Sequence, residues 1–162
     1  MPKILDILKN PNPILREKSV EIPLTDISKP EMRQLLLDME YTMKKLDGAG
    51  LAAPQTGFNI RLVVINDERT NKTIFMINPK ITKKSRGLEI DEEGCLSVLD
   101  DKGKIIYAPV SRHKKVSCVY YDAKGNKKKI QAEKILSRII QHETDHLDGI
   151  LFIDRLIKNS KN

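Results

Sequence analysis

The sequence predicts an α+β fold in which short antiparallel strands pack around a central helix, with one further helix near the N-terminus. Three observations support this prediction: a helical pattern from about Pro30 to Leu46, several short apolar runs in the middle of the chain, and a second helical pattern from about Ala132 to Asp148. Strands that are grouped between two helices, rather than alternating with helices, favour α+β over a parallel α/β sheet.

The N-terminal helix is predicted from an apolar stripe at helical spacing, which we expect to pack in the core. Its members are Met32, Leu35, Leu36, Met39, Met43 and Leu46. Ser28 and Glu31 fit a capping box at the start of this helix, because they are three residues apart. Gly48 is the predicted stop.

The strands are predicted from short runs of β-branched and aromatic residues with turn residues between them. The runs are LVVI at 62–65, IFMI at 74–77 and VSCVYYD at 116–122. The tripeptide KGN at 124–126 predicts a hairpin turn into KKKIQAE at 127–133.

The second helix carries its own stripe and is expected to end near Gly149. Ile135, Ile139, His142 and His146 follow one another by steps of four, three and four residues. The two histidines are therefore predicted to share a face with two isoleucines that we expect to be buried.

The segment QHETDHL contains the pattern H-E-x-x-H, in which two histidines are four residues apart on one helix face. Two such imidazoles can converge on one divalent cation. The alternative is a pair of core histidines that are satisfied by hydrogen bonds. Since the chain has only three histidines and two of them have this spacing, we favour metal ligands, which makes this the central metal-binding helix of the predicted fold.

The neighbours of these histidines suggest further roles. Glu143 follows the first histidine and can exchange a proton with a water on the metal without being a ligand. Asp145 should face away from the metal and either orient a neighbour or be exposed. His113 lies among basic residues and is expected at the surface.

A catalytic site of this kind needs a third protein ligand, and the sequence after the motif does not supply one. Position 152, where one class of zinc peptidases has a third histidine, is Phe, and no Glu follows Glu143. Upstream candidates are Cys95, Cys118, His113 or a carboxylate. Cys95, in EEGCLS, is in a context that suits a thiolate at a turn, whereas Cys118 alternates with apolar residues and is expected to pack as a small hydrophobe.

The stretch GAGLAAPQTG at 48–57 is rich in small residues, which let the backbone and a substrate come close together. Gln55 offers an uncharged N–H donor that could stabilise a developing oxyanion. Taken alone, a Gly- and Ala-rich stretch after a helix is more often an ordinary loop.

The composition predicts one domain, residues 1–162, that is neither secreted nor membrane-spanning. The N-terminus lacks the apolar core of a signal peptide, and two cysteines are too few for a disulfide framework. We therefore expect a bacterial cytoplasm or an organellar matrix. The net charge is +7, but the lysines are scattered and aromatic residues make up 4% of the chain, so no specific nucleic-acid recognition is expected. Weak attraction to a large anionic assembly stays open.

Three segments together resemble the peptide deformylase family. They are GAGLAAPQ at 48–55, EGCLS at 93–97 and QHETDH at 141–146, which match the family's G-x-G-L-A-A-x-Q, E-G-C-L-S and Q-H-E-x-D-H motifs in the same order. The resemblance extends from the NPNPILR segment to LFIDRL. It implies metal-dependent hydrolysis of the formyl group from N-formylmethionyl nascent peptides, with release of formate.

The resemblance also implies residue roles. Cys95, His142 and His146 would bind the metal, typically Fe(II), which Zn, Ni or Co can replace. Glu143 would be the general acid and base. The remaining roles fall to two groups: oxyanion donors, Gln55 and the backbone N–H of Leu96, and substrate-binding residues, Ala49, Gly50, Ile135 and Ile139. Weak association with the ribosome is compatible with the basic charge, but the family's C-terminal docking helix is not expected, since only about six residues follow Leu156.

The sequence departs from the family pattern in two places. Ala49 stands where a larger aliphatic residue is usual, and residues 98–109 form a longer and more polar stretch than in many members. The basic residue of the substrate groove is assigned to Arg112 across that gap. A zincin-like metallopeptidase and a non-catalytic basic protein of the ribosome surface remain the rival interpretations.

Overall fold

The computed structural model describes residues 1–158 and has the predicted α+β architecture. Helix α1 is Pro30–Lys45 and helix α2 is Lys134–Leu147. The strands are β1 Gly50–Ala52, β2 Leu62–Asp67, β3 Lys72–Lys84, β4 Leu88–Glu93, β5 Ala108–His113, β6 Lys115–Tyr121 and β7 Lys127–Glu133. The predicted single domain extends to residue 162, and residues 159–162 lie outside the described part.

The strands form two antiparallel sheets. The larger sheet has the order β1-β2-β3-β6-β7, and β4 pairs only with β5. Strands β6 and β7 form the predicted hairpin, in which Gly125, at the turn, has a φ of 83°. Strands β1, β4 and β5 were not predicted, because β1 is only three residues long and β4 is exposed along most of its length.

Strand β2 lies between the two helices and is buried on both faces. Leu62 and Val64 join the core cluster of α1, while Val63 and Ile65 join the cluster of α2. Successive side chains of a strand point to opposite faces, so burial on both faces explains why LVVI is a continuous apolar run. Each such side chain contributes roughly 1.5–3 kcal/mol by leaving water.

The start of α1 differs from the prediction. Lys29 is the N-cap residue and no side chain caps the helix, so the capping box of Ser28 and Glu31 is wrong. Pro30 occupies the first turn and has no N–H to satisfy, and Lys29 pairs instead with Asp26 over 2.6 Å. The left-handed residue after the helix is Asp47, with a φ of 51°, rather than Gly48.

Helix α2 begins two residues later than predicted, because Ala132 and Glu133 still pair with β6 as part of β7. It ends as predicted, with Gly149 at a φ of 72°. The expectation that both isoleucines of its stripe are buried is half wrong. Ile139 is 9% exposed, whereas Ile135 lies in the first turn of the helix and is 52% exposed. Within residues 1–158, no helix is long and apolar enough to cross a bilayer.

Candidate active site

Helix α2 and the segment after β4 bring two histidines and one cysteine together. The rings of His142 and His146 are 5.0 Å apart, and the Cys95 Sγ lies 3.4 Å from the Nε2 of His146. The ligand atoms of the three residues all lie within 4.8 Å of one another. One thiolate and two imidazoles are a donor set that suits a divalent transition metal, so the cluster could hold such an ion.

The orientation of His142 is fixed by Glu93, the last residue of β4. The Nδ1–H of His142 donates to the Glu93 Oε1 over 2.8 Å, which leaves the Nε2 of His142 available to a metal. Glu93 also accepts hydrogen bonds from Arg112, at 2.9 Å, and from Arg138, at 2.7 Å. No role was predicted for Glu93, although its place two residues before Cys95 was a usable signal.

Arg112 is not the groove residue that the sequence predicted. It is 4% exposed and lies between Glu93 and Asp145. It forms ion pairs with both carboxylates, which balance its charge within the protein. Its neighbours along the chain are basic, and the sequence does not show this pairing. Asp145 has the orienting role expected of it, because it accepts hydrogen bonds from Arg112 and Arg155.

Burial and neighbouring charges set the electrostatics of the cluster. Burial opposes a charged His142, but hydrogen bonds with Cys95 and Glu93 raise its pKa to about 10. Burial, together with the charge of His142, holds the pKa of His146 well below its usual range. Burial raises the pKa of Glu143 to about 7. A cation bound at the cluster would add a positive charge and would favour the deprotonated forms of these groups.

The Glu143 carboxylate lies close to the backbone of β1 at Gly50. A Cβ on Gly50 would lie 2.6 Å from the Glu143 Oε1, so only glycine leaves room for the carboxylate there. The other oxygen, Oε2, is buried and has no hydrogen-bond partner among the described residues. A buried carboxylate with one unpartnered oxygen and a pKa near neutrality suits a group that exchanges protons with a ligand.

Gln55 is held rigidly beside the cysteine. It is 2% exposed, and its Oε1 accepts the N–H of Ala52 over 2.9 Å. Its Nε2 therefore faces the other way and donates to the Ser97 Oγ over 3.2 Å and to the Cys95 Sγ over 3.5 Å. This arrangement aims an uncharged N–H donor at the region of the three ligand atoms.

These groups line a cleft of about 450 Å³. Nine of the ten predicted site residues line it: Ala49, Gly50, Gln55, Cys95, Leu96, Ile135, Ile139, His142 and Glu143. The tenth, His146, is 1% exposed and lies behind the cysteine. Ile105 and Tyr107 also line the cleft, although no site role was predicted for them.

Two other candidates for the third ligand, His113 and Cys118, lie elsewhere. The Nδ1 of His113 is 2.7 Å from the carbonyl oxygen of Ser85, and the side chain is half-buried rather than fully at the surface. Cys118 is fully buried in the core cluster of α2, as predicted, and burial raises its pKa to about 11. Among residues 1–158, Cys95 is the candidate that forms a group with both histidines in which all ligand atoms lie within 4.8 Å of one another.

Residues 4–162 match the model of the polypeptide deformylase family. The chain belongs to this family. It is 39% identical, over 157 residues, to the peptide deformylase of Dictyoglomus thermophilum, covering 97% of this chain and 95% of that protein. The predicted family and enzyme class are thereby confirmed, and the zincin-like metallopeptidase is not supported.

Solved deformylase structures have the same fold. The actinonin complex of the Synechococcus elongatus deformylase superposes with a TM-score of 0.86 at 38% identity, over 96% of this chain and 80% of that one. A Met-Ala-Ser complex of the Acinetobacter baumannii deformylase gives 0.88 at 30% identity, over 96% and 100%. The family is metal-dependent, which agrees with the Cys–His–His cluster.

Proposed function

We propose that this deformylase hydrolyses the formyl group from nascent peptides that begin with N-formylmethionine, by means of the residues that line the cleft. The observation that carries the assignment of these residues is the convergence of Cys95, His142 and His146 beside Glu143 and Gln55. The cluster supplies the ligands, and the other two side chains supply a proton carrier and a neutral donor.

Cys95, through its Sγ, and the Nε2 atoms of His142 and His146 would hold one divalent ion, with Fe(II) as the native metal and Zn, Ni or Co as possible replacements. When bound, the ion acts as a Lewis acid and makes water a nucleophile at neutral pH. The thiolate suits a soft-leaning transition metal and neutralises one of its two charges. Glu93 keeps His142 in the tautomer that binds through Nε2.

Glu143 moves the proton. Its unpartnered Oε2 accepts a proton from the attacking water as the new C–O bond forms at the formyl carbon. It then passes that proton to the amine nitrogen as the C–N bond breaks, and formate and the free N-terminus leave. Burial, which raises the pKa of Glu143 to about 7, suits a group that both takes and returns a proton.

Two uncharged donors would stabilise the negative charge that develops on the formyl oxygen. They are the Nε2 of Gln55 and the backbone N–H of Leu96, and both residues line the cleft. The Gln55 amide is fixed through Ala52 and Ser97, so little reorganisation is needed as the charge forms.

The methionine side chain would lie against Ala49, Ile135 and Ile139, which give the cleft an apolar wall. Gly50 would bind the substrate backbone. The Met-Ala-Ser peptide in the related Acinetobacter baumannii structure has the methionine start that this proposal requires of a product.

Residues 1–162 would form a single catalytic domain that acts in a bacterial cytoplasm or an organellar matrix. The net charge of +7 would favour weak association with the ribosome, on which nascent peptides emerge.

The test is formate release from formyl-Met-Ala-Ser by metal-loaded protein. Glu143→Gln should retain the metal and lose about 10²–10⁴-fold in turnover, while Glu133→Gln, on the exposed end of β7, should match the wild type. Near-normal turnover of metal-loaded Glu143→Gln would overturn the proton-carrier role. Cleavage of an internal peptide bond without formate release would instead indicate a peptidase.

A further inference from the structure

A segment near the N-terminus lies across the two loops that carry the proposed oxyanion donors. The backbone N–H of Leu8 donates to the carbonyl oxygen of Gln55 over 2.7 Å, and the N–H of Asn10 donates to the carbonyl oxygen of Ser97 over 2.7 Å. The main chain is therefore held on both sides of Lys9. The Lys9 side chain is exposed, but it starts from a fixed backbone position, so a contact that it makes requires only its own rotamers to be ordered.

The Lys9 ammonium contacts a peptide group that leads to the metal cluster. Its Nζ donates to the carbonyl oxygen of Leu96 over 2.6 Å. That carbonyl belongs to the same peptide group as the N–H of Ser97, which donates to the Cys95 Sγ over 3.5 Å. Hydrogen bonds in such a chain polarise one another, so the bond accepted by the carbonyl strengthens the bond that the N–H gives. An exposed cation is thereby connected to a buried sulfur.

The hydrogen bond from Ser97 has a particular importance for the sulfur of Cys95. The Nε2 of Gln55 also lies 3.5 Å from this sulfur, but it donates to the Ser97 Oγ as well, and in the proposed function it faces the formyl oxygen. The Ser97 N–H has the sulfur as its acceptor among the described residues. Cys95 is 6% exposed, and a buried charge without hydrogen bonds is costly. The donor that Lys9 polarises is therefore the one that the sulfur does not share.

We propose that Lys9 is a positioning residue of the metal centre, which stabilises the Cys95 thiolate on the bound ion through the peptide group between Leu96 and Ser97. This inference rests on the proposed function, in which the cluster holds Fe(II) or a replacement. Hydrogen bonds at a ligating sulfur tune the metal that it binds. A positive charge behind the sulfur lowers the energy of its electrons and opposes the additional charge of Fe(III). Lys9 therefore favours the Fe(II) state.

The first test is the absorption spectrum of the Co(II)-loaded protein, in which the sulfur-to-metal charge-transfer band reports on the thiolate. Lys9→Met should move this band to longer wavelength, because the electrons of a less stabilised sulfur need less energy to reach the metal. Lys9→Arg keeps the charge and the donor and should retain the wild-type band. Lys3→Met removes an exposed charge from the same end of the chain and should leave the band unchanged.

The second test is the rate at which the Fe(II)-loaded protein oxidises in air, measured as loss of Fe(II). Lys9→Met should oxidise roughly twofold to tenfold faster than the wild type, which is the range expected from the loss of one hydrogen bond. Lys9→Arg and Lys3→Met should match the wild type. Thermal unfolding shows whether each variant is folded, and Lys9→Gln takes the place of Lys9→Met if the latter is not.

A folded Lys9→Met variant with the wild-type band and the wild-type oxidation rate would overturn the inference. Equal changes in Lys3→Met would also overturn it, because they would show a general effect of charge. The proposed function would stand in both cases if the wild type releases formate from formyl-Met-Ala-Ser. A metal-loaded wild type that releases no formate would overturn the proposed function, even if the band of Lys9→Met moves as expected.

Discussion

The Nδ1 of His142 and the Oε1 of Glu93 are 2.8 Å apart, although the two residues are separated by 49 positions. This contact joins the end of β4 to the face of α2 that carries the two histidines. Arg112 and Arg138 hold the Glu93 carboxylate from its other sides. His142, which we propose as a metal ligand, is therefore oriented by a buried ionic network and not by the helix alone.

We predict that Glu93→Gln binds metal about 10-fold to 100-fold more weakly than the wild type, because the remaining amide oxygen is a poorer acceptor than a carboxylate. Measurement of metal stoichiometry against a competing chelator gives the ratio. Glu89→Gln, on the exposed part of β4, is the control. Equal metal retention by Glu93→Gln and the wild type would show that this contact does not support the site.

The same carboxylate should give the stability of the metal-free protein a specific pH dependence. Burial opposes its charge, but hydrogen bonds from Arg112 and His142 hold the pKa of Glu93 well below its usual value of 4.5. A depressed folded-state pKa means that Glu93 contributes stability above the unfolded-state pKa and loses that contribution as the pH falls. Urea unfolding from pH 7 to pH 3 should show a smaller loss of stability in Glu93→Gln. An equal loss would argue against the shift.

Gln55→Ala should lower kcat/KM by about 10²–10³-fold, because it removes a fixed donor from the developing oxyanion. Steady-state kinetics on formyl-Met-Ala-Ser measure the effect. Gln131→Ala, on the exposed part of β7, is the control. If kcat/KM of the folded, metal-loaded Gln55→Ala variant falls by less than threefold, the role of Gln55 is structural only.

Gly149→Ala should destabilise the protein more than Gly125→Ala does. Both glycines have a positive φ, 72° and 83°, so both substitutions carry the roughly 1–2 kcal/mol strain of a left-handed residue. A Cβ at 149 would also lie 2.4 Å from the carbonyl oxygen of Arg16, whereas nothing lies within 4 Å at 125. Urea unfolding gives the difference in the free energy of unfolding, and no difference would mean that the Arg16 segment yields easily.

Predictions from the sequence were most accurate where all the residues of a pattern lie in a single helix or a single turn. The spacing of His142 and His146 depends on one helix, and the β6–β7 hairpin depends on a local turn. Strand β4 escaped prediction because its acidic, exposed residues lack the alternation of a half-buried strand. Its partner β5 contains Pro109, which has no N–H for the ladder and therefore counts against a strand in the sequence.

Two predictions at the site were wrong because they depend on contacts that are not local in the sequence. Arg112 was assigned to the substrate groove by a match to the family pattern across a gap, whereas the partners that pair with it inside the protein are 19 and 33 positions away. Ile135 belongs to the stripe of α2 by spacing, but it lies in the first turn of that helix, lines the cleft and is 52% exposed. The spacing of apolar residues predicts which face of a helix is buried. It does not predict how much of the helix length the core covers.

The central claim is that Cys95, and not Cys118, completes the metal site. The most direct measurement is metal stoichiometry and formate release for Cys95→Ser and Cys118→Ser, both prepared without oxygen, since Fe(II) and thiolates oxidise in air. Cys95→Ser should lose or weaken metal binding and ordinary activity, because a serine hydroxyl does not replace a thiolate ligand. Cys118→Ser should keep both and change stability by about 1 kcal/mol through packing. Retention of the metal by Cys95→Ser together with its loss from Cys118→Ser would contradict the account.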